Sequence, residues 1–178
     1  MPHIYSGSLS EKVSEREIAG REIARKIAEE GIVLLHNNGV LPIKEKSHIA
    51  LFGAGARKTV KGGSGSGDVN ERETVSVYQG LFQKGYYIDS EEWLDAYDKL
   101  YEESRRKWKE EILRLGAGND EKTIQAYVRN PFRVPEKKIT EIDKIKERKT
   151  AIYVISRMAG EGADRQDEPG DYRLTEAE

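Results

Sequence analysis

The sequence predicts an α/β fold built on an open, mainly parallel sheet, with helices on both faces and one edge incomplete. Three observations carry this. Ala151-Ile-Tyr-Val-Ile155 is an apolar run, β-branched and aromatic, of the length of a buried parallel strand. His48-Ile-Ala-Leu-Phe-Gly53 is a second short apolar run, ended by glycine. The segments around them are charged, with apolar residues at helical spacing, as expected of a chain that is 35% Asp, Glu, Lys and Arg.

Taken in order, Ser14-Glu-Arg-Glu17 is a capping-box pattern that opens a helix. Ile18, Ala19, Ile23, Ala24, Ile27 and Ala28 recur on one face, and Arg21, Glu22, Arg25, Lys26, Glu29 and Glu30 cover the others. The pattern reads as an amphipathic helix packed on a sheet. It continues towards Gly31-Ile-Val-Leu-Leu-His36 and is stopped by Asn37-Asn38-Gly39, after which Leu41-Pro42-Ile43 leads on in extended form. Residues 1–13 are an N-terminal extension, and the domain occupies 14–178. After the strand at 48–53, Gly53-Ala-Gly55 invites a dinucleotide reading, but the third glycine of the fingerprint falls on Lys58.

Four glycines and two serines fill the stretch from Gly62 to Gly67, which suits neither a helix nor a strand interior. Its backbone N–H groups could form an anion nest. Neither a phosphate-loop lysine motif nor a nucleophile-elbow serine motif can be written there. Ser76 to Lys84 reads as a short helix closed by Gly85, and Tyr86-Tyr-Ile88 as an edge strand. Ser90-Glu-Glu92 caps a longer helix to about Leu115, with Trp93, Leu94, Tyr97, Leu100, Tyr101, Trp108, Ile112 and Leu115 on its apolar side. Aromatic residues at that spacing serve a core or an interface, with stacking on sugar as the alternative use.

Gly116-Ala-Gly118 ends the long helix, residues 121–128 form another short one, and Asn130-Pro131 with Val134-Pro135 marks a loop. Residues 140–148 read as a charged amphipathic helix, so that about 90–148 is a helical excursion between strands. Thr175-Glu-Ala-Glu178 is a second capping box, which announces a further helix.

Composition narrows the function. The net charge of −2, with both signs interspersed, suggests neither nucleic acid nor an anionic membrane as partner. No cysteine is present, which excludes a disulfide framework and thiolate metal sites. His3, His36 and His48 lie far apart, in no ligand spacing, so no metal or cofactor is expected. No apolar run reaches the length of a membrane span, and the N-terminal residues lack the form of a signal peptide, which makes a cytoplasmic location the expectation.

The candidate chemistry follows the second strand. The chain breaks into Gly160-Glu161-Gly162, with Asp164 and Arg165 just beyond. Open α/β sheets bind ligands outside the carboxyl ends of their strands, so an acid between two glycines stands where chemistry usually occurs. On these few residues alone, a solvated surface loop is the favoured reading of Glu161. The longer string Ser156-Arg-Met-Ala-Gly-Glu-Gly-Ala-Asp-Arg165, followed by Gly170-Asp-Tyr-Arg-Leu174, resembles the second domain of family 3 glycoside hydrolases. Two other stretches resemble it too: Glu29-Glu-Gly-Ile-Val-Leu-Leu-His-Asn-Asn-Gly-Val-Leu-Pro-Ile43, and Thr59-Val-Lys-Gly-Gly-Ser-Gly-Ser-Gly-Asp-Val-Asn-Glu71.

The resemblance covers about 14–178 and implies a three-layer α/β sandwich. It implies that Glu161 is the general acid/base of a retaining, exo-acting β-glycosidase of β-glucosidase type. Gly63, Ser64, Gly65, Ser66, Asp164 and Arg165 then help shape the substrate pocket. The implied partners are a β-linked glucoside or related oligosaccharide, and a (β/α)8 barrel-type domain of the same full-length chain that carries the nucleophilic Asp. The glycine-rich stretch is most similar to members whose sandwich domain precedes the barrel. The expectation is therefore a truncated piece, inactive alone. Two other readings stay open: a non-catalytic carbohydrate-binding or scaffold domain, and a phosphate- or nucleotide-binding domain using the loop from Gly62 to Gly67.

Overall fold

A computed structural model of the chain describes residues 11–63, 73–141, 143, 150–158 and 165–178. It divides into two compact units, Met1–Leu41 and Pro42–Glu178. In the first, α1 (Glu15–Gly31) opens on the capping box read from the sequence. The Ser14 hydroxyl accepts from the Glu17 amide, and the Glu17 carboxylate accepts from the Ser14 amide at 2.7 Å.

The helix stops at Gly31, earlier than the pattern suggested, because Ile32 turns to extended backbone (φ −73°, ψ 128°). Consecutive β-branched residues at 32 and 33 favour that turn. Asn37 then folds 37–41 into a turn, its Oδ1 accepting from the Gly39 and Leu41 amides. None of the α1 residues is buried, and Ile18, Ile23 and Ile27 are each more than half exposed. Local terms hold it instead: the cap, and Arg25 paired with Glu22 and Glu29 three and four residues away.

The second unit is organised on β1 (His48–Phe52), whose residues 49–52 are buried. β2 (Tyr87–Ile88) and β3 (Ala151–Tyr153) flank it, both parallel to it, giving the order β2-β1-β3. Register pairs Ile49 with Ile88 and Leu51 with Ile152. The expected parallel open sheet is therefore present. The third strand is shorter than the apolar run and only partly buried, because it lies at an edge of the described sheet.

Between β1 and β3 come α2 (Val77–Gln83), α3 (Glu91–Gly116) and α4 (Asp120–Arg129). Ser76 and Gln79 form a reciprocal capping box on α2, and Gly85 closes it at φ +82°. Trp93, Leu94 and Tyr97 of α3 join Ala50, Leu51 and Phe52 in the core. Phe52 meets Trp93 edge-on at 5.3 Å.

The outer half of α3 pairs with α4. Gly116 makes their close approach possible, since a Cβ there would lie 2.0 Å from the Thr123 hydroxyl. Ala117 rather than a glycine takes the left-handed position that ends α3, at φ 49°. The aromatic rings of α3 have a third use that their spacing did not reveal. Trp108 Nε1, Tyr97 Oη and Trp93 Nε1 donate to the carbonyls of Asn130, Pro135 and Lys138, at 2.7, 3.0 and 3.3 Å. These bonds stitch the returning 130–138 segment along the helix. The charged helix expected at 140–148 falls largely outside the described residues.

Candidate functional site

β1 and β3 run parallel side by side, so their carboxyl ends leave the sheet together. Gly53 and Gly55 follow β1, and both are fitted to the exit of β3. A Cβ at Gly53, whose φ is +94°, would stand 2.4 Å from the Val154 carbonyl oxygen. At Gly55 it would stand 2.7 Å from Val154 Cγ1. The Gly55 amide donates to the Val154 carbonyl at 3.2 Å, continuing the β1–β3 ladder beyond the strands. These glycines thus have a packing role, which accounts for them without a dinucleotide.

Residues from the two exits line one cavity of about 180 Å³: Gly55, Thr59 and Val60 from the first, and residues 154–157 from the second. Thr59 ties the first exit together. Its hydroxyl donates to the Gly55 carbonyl at 2.6 Å and accepts from the Val77 amide at 3.1 Å.

Beside it, Arg57 lies along the first turns of α3, with Glu91, Asp95 and Asp98 around its guanidinium and the Tyr78 ring 4.7 Å away. Lys58 continues the row to Glu102 at 2.9 Å. Burial alone would lower the pKa of Arg57, but the surrounding carboxylates more than reverse this and raise it. The position a dinucleotide fingerprint would require to be glycine, Lys58, is therefore an anchor to α3.

On the second exit, Arg157 is the hub. Its guanidinium takes both oxygens of Glu178 at 2.6 Å, and it donates to the carbonyls of Asp171 at 2.7 Å and Arg173 at 3.3 Å. The pair is largely shielded, with side chains 18% and 8% exposed. The hydrogen bonds from Arg157 hold the Glu178 carboxyl below its ordinary range, and the same contact raises Arg157. Glu178 also closes the Thr175 capping box, accepting from the Thr175 amide at 2.9 Å while its own amide donates to the Thr175 hydroxyl.

Of the site residues read from the sequence, Gly63 and Arg165 are described, while Ser64, Gly65, Ser66, Glu161 and Asp164 lie outside the described residues. Gly63 is half-buried, three residues beyond the cavity-lining Val60. Arg165 pairs with Asp171 at 2.8 Å. The sequence reading gave Arg157 and Asp171 no individual role, and Glu178 only that of a helix cap. Their partners lie 14 and 21 residues apart, beyond the reach of any periodicity. The available signals were the family-like strings, which contain Arg157 and Asp171, and the second capping box, which names Glu178. Among the described residues no three His, Cys, Asp or Glu side chains form a group that could hold a metal ion, and no helix is long and apolar enough to cross a membrane.

The class this geometry defines is an α/β domain with its crevice beyond the carboxyl ends of adjacent parallel strands. The pattern of the glycosyl hydrolase family 3 C-terminal domain matches residues 32–177, and the chain belongs to that family. Beta-glucosidase A of Butyrivibrio fibrisolvens is 35% identical over 171 residues, covering 93% of this chain and 18% of that protein. A beta-glucosidase of Ruminococcus albus is 30% identical over 158 residues, 88% of this chain and 15% of that protein. The structure of beta-glucosidase 3B from Thermotoga neapolitana in complex with α-D-glucose superposes with a TM-score of 0.68 at 30% identity, covering 92% of this chain and 21% of that one. The chain thus spans less than a fifth of the length of these two curated relatives.

Proposed function

We propose that this chain supplies the general acid/base and one wall of the substrate pocket of a retaining, exo-acting β-glucosidase. Glu161 is the acid/base. Gly63, Ser64, Gly65, Ser66, Asp164 and Arg165 contribute to the pocket, and a barrel-type domain supplies the nucleophilic carboxylate. The observation that carries this is the in-register pairing of Leu51 with Ile152, which sends both strand exits to one end of the sheet and around one cavity. The glycine-rich stretch continues the first exit and Gly160-Glu161-Gly162 the second.

The chemistry has two steps. Glu161 donates its proton to the glycosidic oxygen as the bond to the anomeric carbon breaks and the nucleophile forms a glycosyl ester. The Glu161 carboxylate then takes a proton from water, whose oxygen attacks the anomeric carbon and releases the nucleophile. The substrate is a β-linked glucoside or a related oligosaccharide. The two carboxylates must stand about 5 Å apart across the bond, so this chain is inactive without its companion domain.

The test uses a chimera in which this chain replaces the matching stretch of the Butyrivibrio fibrisolvens enzyme. Glu161→Ala should slow aryl glucosides with poor leaving groups far more than those with good ones, since only the former need a proton. Added azide should then give a glycosyl azide of retained configuration. An equal loss across the leaving-group series would move the assignment to another carboxylate.

A further inference from the structure

Asn38-Gly39 is the one place in the chain where glycine follows asparagine. It lies in the turn that ends the first unit, and its neighbour builds that turn. Asn37 Oδ1 accepts from the Gly39 amide at 3.0 Å and from the Leu41 amide at 3.1 Å, while Asn37 Nδ2 donates to the Leu41 carbonyl at 2.9 Å. Asn38 has no such task. It is exposed, and among the described residues its own side chain has no hydrogen-bond partner. Gly39 stands at φ +98° with nothing within 4 Å of where a Cβ would be. Neither a side chain of its own nor a packed neighbour therefore crowds the approach of the Asn38 carboxamide to its nitrogen.

That nitrogen is a nucleophile once its proton is lost. Attack on Asn38 Cγ forms a C–N bond and closes a five-membered ring. The Cγ–Nδ2 bond breaks, and Nδ2 leaves with a proton as ammonia. Water then adds to one of the two ring carbonyls and breaks its bond to the nitrogen. Opening at Cγ yields aspartate, and opening at the backbone carbonyl yields isoaspartate, with the chain now running through Cγ. One water is consumed and one ammonia released, and nothing is oxidised or reduced.

We propose that Asn38 is a site of spontaneous deamidation and isomerisation, and that the Asn37 side chain sets its rate. The Gly39 N–H that must be lost is the one that Asn37 Oδ1 holds, so the folded turn is a brake on its own conversion. Either product adds one negative charge. Isoaspartate also lengthens the chain by one carbon between Asn37 and Gly39. That shifts the Gly39 and Leu41 amides relative to Asn37 Oδ1 and releases the turn just before Pro42, where the second unit begins. None of this depends on the role of Glu161.

The test uses the whole chain, held folded at mildly alkaline pH. Peptide mapping by mass spectrometry follows deamidation, and a protein-isoaspartate methyltransferase with labelled S-adenosylmethionine counts isoaspartate. Deamidation should accumulate at Asn38 ahead of Asn119, which precedes Asp120 and has its Oδ1 tied to the Lys122 amide. Asn37→Ala should speed it about tenfold, the worth of the two bonds lost from Oδ1. Asn37→Asp, which keeps that acceptor, should stay near the parent rate. Both variants change an exposed side chain, and urea supplies the control, because unfolded parent and unfolded Asn37→Ala should convert alike. A parent chain that converts no faster at Asn38 than at Asn119 overturns the site. Equal rates in folded parent and folded Asn37→Ala, or a difference that survives in urea, overturn the brake.

Discussion

The Ser90 hydroxyl bonds both backbone groups of Leu51: it accepts from the Leu51 amide at 2.8 Å and donates to the Leu51 carbonyl at 2.7 Å. β2 ends at Ile88, and Asp89 supplies one more rung by donating to the Ile49 carbonyl. At Leu51 the central strand would otherwise have no partner on that side. One side-chain oxygen stands in for a peptide unit, within a core where Leu51 is wholly buried and Ser90 is 5% exposed. The same hydroxyl cannot cap α3, and the N-cap bond expected of Ser90 is indeed absent.

Ser90→Ala should therefore destabilise the chain by about 2–6 kcal/mol, since it strands two buried backbone groups at about 1–3 kcal/mol each. Ser76→Ala removes only the cap of α2 and should cost about 1 kcal/mol. Urea unfolding followed by tryptophan fluorescence separates the two. Equal losses would mean that Ser90 acts as an ordinary cap.

Gly53→Ala should cost about 3 kcal/mol or more, because a positive φ and a collision with a backbone oxygen act together. Gly118→Ala, at φ +73° with nothing within 4 Å of its Cβ, bears the dihedral cost alone, about 1–2 kcal/mol. Thermal melting of the two variants checks the difference. Similar shifts would show that the β1–β3 exits can part without cost.

The Arg157–Glu178 pair sets an acid limit on the 150–178 region. The folded pKa of Glu178 lies below its ordinary 4.5, and that of Asp171 below 3.8. Between the folded and ordinary values the unfolded chain binds more protons, so stability rises with pH there. This contribution is complete above the ordinary values and is lost as pH falls through the folded ones. Glu178→Gln should flatten the fall below about pH 4.5 while leaving Arg157 with a neutral acceptor. Hydrogen exchange of the Asp171 and Arg173 amides at pH 6 and pH 3 reads it, and an unaltered pH dependence in Glu178→Gln refutes the linkage.

The chain by itself should not hydrolyse aryl β-glucosides. Two carboxylates are needed, and in the proposed function Glu161 is one of them. Reproducible turnover by the purified chain, abolished by Glu161→Gln, would falsify the assignment of the nucleophile to a companion domain.

Local physics accounts for what the sequence alone determined. The capping boxes at Ser14 and Thr175, the turn glycine at Gly85, the buried run at 49–52 and the long amphipathic α3 depend on neighbours within a few residues, and each reads directly from the chain. The family was legible for the same reason, since its motifs are contiguous strings. Only the tertiary structure decided what those residues do at a distance. It diverted the Ser90 hydroxyl from a helix end to a strand 39 residues away. It turned Gly53 and Gly55 from half a nucleotide fingerprint into the contact that lets two strands leave side by side. It also brought Arg157, Asp171 and Glu178 together, because hydrogen-bond donors and acceptors carry no record in sequence of which distant partner the folded backbone will place within 3 Å of them.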